Sequence, residues 1–391
     1  MLGTSIGREV MEVLNRYRIR PDTLASWFRL INLNDKPSIG KTERRIMAIL
    51  AVAPTLSNRQ ISRIIGISES SVAYHMKKLR NKYGLCVMSH FNPCLAGLEN
   101  ILVILRMPRD RESRRFLGNV NSKFLMLAMR GSPDSEKYQG YLLMYAVPRN
   151  IGTKRFMKEF CDVIGSYKGE VYAFTIKGVF TGINFALPYI STWKVPRNCR
   201  NYDASELTHF LSGDIFWYSD NGHIRDKIDL LLFLLKSYDF KMRSSQLVTL
   251  MHRILGKRLC DAAVRRRVRK LSAMNAWRPF ICFRRLGLDS CVVLNLIGDF
   301  ETVASIIMSA SCCFPQYFAY IHEKGAVLLI NVSRALLGEI SKRIMSFVEG
   351  CDDHHFLVSY DNALPLLRLE VIDMWSNEER GWQVASILRN T

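Results

Sequence analysis

The chain reads as one pattern written twice. A basic helix-turn-helix pattern followed by a β-α-β-β-α-β pattern runs from about Lys41 to Thr181, and a divergent copy runs from about Asp226 to Asn362. The junctions align: LRNKYGLCVMSHFNPCLAGLENILVILRM, from Leu79 to Met107, sits against VRKLSAMNAWRPFICFRRLGLDSCVVLNLIG, from Val268 to Gly298. A repeat of this length reads as an internal duplication, so any fold must hold two similar modules in one chain.

Charge follows the same division. Lys41–His90 carries nine basic residues against two acidic ones, and Asp226–Arg285 fifteen against four, which together account for eighteen of the net twenty positive charges. A field concentrated on two small modules points to a polyanion, most simply nucleic acid. With 391 residues and 48% hydrophobic content, the chain can bury more than one core. Its longest apolar runs (ILVIL, YLLMYAV and LLLFLL) fall far short of the roughly 20 residues that span a bilayer, and the amino terminus lacks the apolar core of a secretory signal. A cytoplasmic location is expected.

Ten cysteines show no CxxC pair, and most sit inside apolar runs as small hydrophobes. The nearest approach to a metal signature is CDDHH, Cys351 to His355. It reads better as a loop entering the strand HFLVSY, because ligands on an extended segment alternate sides. No metal and no cofactor are expected.

In the first module, Ile46, Ile49 and Leu50 recur at helical spacing, and a turn at Pro54 ends that helix. Ser57 caps NRQISRII, Gly66 supplies a left-handed turn, and Ser68 caps a third helix from Glu69 to about Asn81. Val72, Met76 and Leu79 form its inward stripe. Facing outward are Glu69, Ser70, Ala73, Tyr74, Lys77 and Lys78, with Ser71 at the boundary. Short polar groups followed by lysines suit a helix laid in a major groove, the first reading base edges and the second holding phosphates. An amphipathic three-helix bundle with no ligand is the plainer alternative.

LSNRQISRIIGISESSVAYHMKKLRNKYGL resembles the winged helix-turn-helix of the leucine-responsive regulator/AsnC family, here in a divergent tandem duplication of archaeal type. The following segments fit that family: ENILVILRM, KFLMLAMRG, YQGYLLMYAVPR and EVYAFTIKGVF as strands, DRESRRFLGNV and TKRFMKEFCDVIG as helices. The resemblance implies an α+β chain with two winged helix-turn-helix domains and two ferredoxin-like βαββαβ domains in tandem. It further implies αβ domains that pair sheet to sheet, as an intrachain pseudo-dimer or a homodimer, and a small-molecule effector near their interface. GSPDSEKYQG, Gly131 to Gly140, reads as a plain hairpin turn rather than an effector loop.

The second copy keeps the frame. Leu247, Leu250 and Met251 stand where Ile61, Ile64 and Ile65 stood, and Val264, Val268 and Leu271 match Val72, Met76 and Leu79. Between them the turn around GKRLCD grows by six residues. Lys257 and Arg258 lie on this turn. The outward positions of the following helix become Arg265, Arg266, Arg269 and Lys270, with Arg267 matching His75 at the half-buried edge. Like charges three and four residues apart repel, and bound phosphate would relieve that strain; a solvated face is the alternative. Strands and helices then repeat through DSCVVLNLIG, FETVASIIMSA, PQYFAYIHEK, AVLLINVSR, LLGEISKRIMSFVEG and HFLVSYDN.

The expected division is a helical extension over 1–40, winged helices over 41–90 and 226–285, αβ domains over 91–186 and 286–362, a connector over 187–225 and a tail over 363–391. Trp193, Phe210, Phe216, Trp217 and Tyr218 argue for an ordered connector. The tail has no assignment from sequence.

P-loop, GxGxxG, GxSxG and HExxH motifs are absent, so a regulator binding double-stranded DNA is expected and an enzyme is not. One alternative is the sirohaem decarboxylases, a branch of the same superfamily that holds a polycarboxylate tetrapyrrole through a motif close to Arg-Arg-Phe-Gly. The equivalent stretches here are SHFNPCLAGL and FICFRRLGL, which leave only His90, Arg284 and Arg285 as remnants of that motif. A non-specific architectural nucleic-acid binder is the other alternative.

Overall fold

Helix boundaries in the first module follow its capping residues. In the computed structural model, α1 (Lys41–Val52) buries Ile46, Met47, Ile49 and Leu50 and ends at Ala53, before Pro54. Burying each such side chain stabilises by about 1.5 to 3 kcal/mol. The helix α2 (Asn58–Ile65) opens with a capping box, in which Ser57 accepts from the Gln60 amide and Gln60 accepts from the Ser57 amide, and Gly66 closes it at φ +79°. Ser68 accepts from the Ser71 amide at 3.1 Å to open α3 (Glu69–Tyr83). Val72, Met76, Leu79 and Tyr83 form its buried stripe. Strand β1 (Leu85–Phe91) follows.

The structure describes residues 39–108, 116, 118–132, 138–165, 170–183, 215–283, 288, 290–314, 316–334, 337, 348, 351, 353–359 and 365–388. The expected extension over 1–40, the helix DRESRRFLGNV, the connector before Ile215 and the helix LLGEISKRIMSFVEG lie largely or wholly outside them.

The chain continues through β2 (Leu98–Pro108), β3 (Leu125–Ser132), β4 (Tyr138–Pro148), α4 (Gly152–Ile164), β5 (Glu170–Ile183) and the short β6 (Phe216–Trp217). Three helices follow, α5 (Lys227–Tyr238), α6 (Ser244–Leu255) and α7 (Asp261–Ala273), and then β7 (Trp277–Phe283). The remaining elements are β8 (Ser290–Ile297), α8 (Phe300–Cys313), β9 (Gln316–His322), β10 (Gly325–Val332), β11 (Asp353–Ser359) and the hairpin strands β12 (Trp375–Ser376) and β13 (Gly381–Trp382).

Eight strands close on themselves in the order β2-β4-β3-β11-β8-β10-β9-β5, with β5 pairing back to β2 and β6 added on β5. Each contributing set, β5-β2-β4-β3 and β11-β8-β10-β9, shows the order 4-1-3-2 counted along the chain. The two sets meet edge to edge at both seams, and their inward residues, among them Leu102, Phe174, Val293 and Phe318, share one core cluster. Edge pairing satisfies the main-chain groups an open sheet would leave bare. One seam is long: β5 pairs β9 from Ile176↔His322 to Ile183↔Gln316, with a bulge between Ile176 and Gly178. The other, among the described residues, pairs Val358↔Ser132 and Ser359↔Gly131.

Alternation along the strands builds two layers of core. Val292, Leu294, Leu296, Ala319, Ile321, Leu328 and Ile330 cluster with Val303 and Ile307 of α8. Cys291, Val293, Phe318, Tyr320, Val327 and Leu329 join instead the larger cluster that runs into both helical modules. His322 stacks on Phe174 across the long seam, with ring centroids 4.2 Å apart.

The carboxy-terminal segment, which sequence left unassigned, is an ordered strap. Trp382 donates to the Ala96 carbonyl at 2.6 Å, Tyr238 donates to the Leu367 carbonyl at 2.8 Å, and Glu159 accepts from Ser386 and from the Ile387 amide. It thereby ties α5 to α4 and to the turn after β1.

Candidate nucleic-acid interface

The two three-helix units are joined by their own exit strands. β1 and β7 form a two-stranded antiparallel ribbon, in register from Leu85↔Phe283 to Phe91↔Trp277. α3 and α7 start at Glu69 and Asp261, and β1 and β7 at Leu85 and Trp277, so corresponding positions differ by a constant offset and Met88 pairs with its own counterpart Phe280. That pairing is what a local two-fold axis through the ribbon produces. Further bonds cross the units: the Phe240 amide to Val87 O at 2.8 Å, Ser89 Oγ to Lys236 O at 3.1 Å, and Lys241 Nζ to Leu56 O at 3.2 Å. Burial and the nearby Arg80 charge push the Lys241 ammonium down to about 8.

On α3 the structure exposes Ser68, Glu69, Ser70, Tyr74 and Lys77 and leaves Ser71 half-buried. Tyr74 is 65% exposed, unusual for a large ring. The Ser68 hydroxyl is engaged in the cap and with Ser70 Oγ at 2.9 Å. Lys78 departs from expectation. Its ammonium binds Glu43 of α1, whose Oε1 also lies 3.2 Å from His75 Nδ1. A helical wheel points Lys78 outward, yet its four-carbon stem reaches back to a carboxylate that would otherwise be buried unpaired. Burial works to raise the Glu43 carboxyl, but the bonds from Lys78 and His75 overcome it and hold the group below the usual carboxylate range.

On α7, Arg265, Arg266, Arg269 and Lys270 are exposed, as are Lys257 and Arg258 on the preceding turn. Arg265 pairs with Asp261 at 3.0 Å. Among the described residues no carboxylate lies within ion-pair distance of Arg266, Arg269 or Lys270. Arg267 turns inward instead, to Asp229 at 2.6 Å and Asp226 at 3.0 Å. The six added residues are divided differently from the sequence reading. Four of them lengthen α6 to 12 residues against 8 in α2, and two lengthen the turn. Four residues are about one helical turn, so the inward face of α6 keeps its direction.

His90 lies in the ribbon, buried and stacked on Phe280 with centroids 4.4 Å apart, its Nε2 2.7 Å from Thr181 Oγ1. Burial, aided by the Arg278 charge, pushes the imidazole down to about 3, so it is neutral at ordinary pH. It does not line an open site for a polycarboxylate. Arg284 and Arg285 lie outside the described residues.

A cleft of about 490 Å³ opens between Cys94–Gly97, Asp220–Ile224 and the β12–β13 hairpin. Arg149 crosses its mouth to Asp220 at 2.7 Å. Among the described residues no cluster of His, Cys, Asp and Glu could hold a metal ion, and no helix is long and apolar enough to cross a membrane. Asp353–Ser359 is a strand, so the last three residues of CDDHH lie at its start.

The helical geometry has a counterpart among known families: residues 40–82 match the winged helix-turn-helix DNA-binding model. This segment is a winged helix-turn-helix DNA-binding domain. Among solved structures the chain is similar to the siroheme decarboxylase NirDL, at 9% identity over 84% of this chain and 94% of that one, with a TM-score of 0.49. It is also similar to NirDL in co-complex with an iron-uroporphyrin III analogue, at 8% identity over 81% and 90% of the two chains, with a TM-score of 0.48. No curated protein matches the chain in sequence.

Sequence reasoning missed Glu43 and Asp229, which anchor the third helix of each unit. The signal was present: each is the third residue of its unit's first helix, an acid otherwise surrounded by apolar and basic positions.

Proposed function

We propose that the chain is a DNA-binding transcriptional regulator that presents two unequal winged helices, α3 and α7, from a single-chain pseudo-dimer to double-stranded DNA. In this reading the chain is a divergent tandem duplication: residues 41–90 and 226–285 are the winged helix-turn-helix domains, and 91–186 and 286–362 are ferredoxin-like domains closed into one barrel. The observation that supports it is the ribbon register, in which the exit strand of the DNA-binding domain at 40–82 pairs with that of a second helical unit whose third helix is loaded with arginine.

Each helix has its own task. Glu69, Ser70 and Tyr74 stand at the exposed amino-terminal half of α3, where short polar and aromatic groups reach base edges. Ser68 and Ser71 set the cap, and Lys77 meets phosphate. Arg265, Arg266, Arg269 and Lys270 grip the backbone through α7, assisted by Lys257 and Arg258. Two modest contacts on one rigid scaffold combine through effective concentration.

Selection from a random duplex pool followed by footprinting tests the proposal. The expected result is one asymmetric site whose halves lie about one helical turn, roughly 34 Å, apart. Binding with no enriched sequence, vanishing steeply with salt, would make the chain an architectural binder. A haem or sirohaem absorption band in the purified protein would favour the enzyme reading instead.

A further inference from the structure

The β1–β7 ribbon holds a feature that neither the duplication nor DNA binding requires. Its register sets Cys86 directly opposite Cys282, 196 residues away along the chain, with the two sulfurs 2.8 Å apart. Directly opposed residues of an antiparallel pair have Cβ atoms roughly 4.5 to 5.5 Å apart, close to the ~3.5 to 4.5 Å of a disulfide. The corresponding positions under the local two-fold hold Arg278 and His90, which also face each other. The cysteine pair is therefore an addition to one end of the ribbon rather than a by-product of the repeat.

We propose that Cys86 and Cys282 form a reversible redox site: a two-electron oxidant of the peroxide class closes them to a disulfide, and a dithiol reopens it. Cys86 is half-buried and Cys282 buried, so the oxidant meets Cys86 first. The Cys86 thiolate attacks peroxide, the O–O bond breaks, and Cys86 becomes a sulfenic acid as one water leaves. The Cys282 sulfur then attacks the Cys86 sulfur, the S–O bond breaks, and the oxygen departs as a second water. The two thiols lose two protons and two electrons, which the peroxide takes up. The product is a covalent tie between the two helical units, which otherwise meet here through main-chain bonds and side-chain packing. Closing so long a loop restricts the unfolded chain, so the oxidised form resists unfolding more than the reduced one.

The full chain, treated with dilute hydrogen peroxide, alkylated and digested without reductant, tests this by mass spectrometry. The expected result is one peptide pair joining Cys86 to Cys282, two hydrogens lighter than its reduced parts and lost on adding dithiothreitol, with a raised thermal midpoint. Cys86→Ser abolishes both the cross-link and the oxidation-dependent shift while keeping the midpoint of the reduced protein. Should Cys282→Ser fail to fold, the half-exposed Cys86→Ser decides the matter alone. Cross-links through the exposed Cys161 or Cys260 in place of this pair, or Cys86 and Cys282 both still alkylated after oxidation, would overturn the proposal.

Discussion

Arg267 Nη1 lies 2.6 Å from Asp229 Oδ1, and the corresponding place in the other unit sets His75 Nδ1 3.2 Å from Glu43 Oε1. In both, an acid on the first helix, almost wholly buried, sits against a nitrogen-bearing side chain of the third. The bond fixes the third helix against the first and so fixes the direction in which its outer face looks. The Arg267 pair is charged at all working pH, because a guanidinium does not deprotonate.

Replacing Asp229 with Asn removes the charge that Arg267 was folded to meet, leaving Asp226 at 3.0 Å as its remaining partner. The expected loss is about 1 to 3 kcal/mol, the scale of a hydrogen bond to a charged group. Urea unfolding of the full chain measures it. An unchanged midpoint would show that the pair does not position α7.

Stability falls as the solution is acidified below about pH 6.5. Burial, with the neighbouring Arg278 charge, lowers His90 to about 3, and burial, with Lys324, lowers His322 to about 4. The unfolded chain takes up these protons near pH 6.5 and the folded chain does not, so stability is complete above that value and is lost as pH drops toward 4. Each histidine contributes a slope of up to about 1.4 kcal/mol per pH unit. His90→Phe keeps a ring against Phe280 and removes one of the two slopes, whatever its effect at neutral pH. An identical pH profile for this variant in denaturant titrations would contradict the placement of His90.

The strap contributes to holding the units together. Trp382 is buried against Trp375 and Phe124, and its indole donates to the Ala96 carbonyl. Trp382→Ala is expected to cost about 3 to 5 kcal/mol from lost packing. Trp382→Phe, which keeps a ring and removes the donor, should cost about 1 kcal/mol. Thermal unfolding with limited proteolysis between 365 and 388 distinguishes the two, and an unchanged midpoint in Trp382→Phe would mean that the indole bond counts for nothing.

Local chemistry made the first unit legible. Ser57, Gly66 and Ser68 each mark a helix boundary because a cap needs a particular side chain or a left-handed backbone, and the structure puts the boundaries there. Strand positions were equally readable from the short apolar runs of β2, β4 and β10, which are buried almost throughout. Partners were not. Nothing in the sequence of Leu85–Phe91 says that it pairs with Trp277–Phe283, and the barrel closes through residues far apart in sequence. The same gap hid the Cys86–Cys282 pair, since cysteine spacing along the chain carries no register. The Lys78–Glu43 pair was hidden because a wheel assigns direction to the Cβ, whereas a long side chain follows the charge it can reach. The tail escaped because its order comes from contacts with Ala96, Asn150 and Glu159 rather than from any period of its own.

The most direct measurement is the affinity for selected duplex DNA as a function of salt, comparing the native chain with Arg265→Ala, Arg266→Ala and Arg269→Ala combined. These side chains are exposed and leave the core intact, so circular dichroism should not change. If α7 grips the backbone, affinity falls and the slope of log affinity against log salt shrinks by about 3, close to one per lost phosphate contact. Unchanged affinity and slope, with the fold retained, would contradict a two-headed reader of DNA.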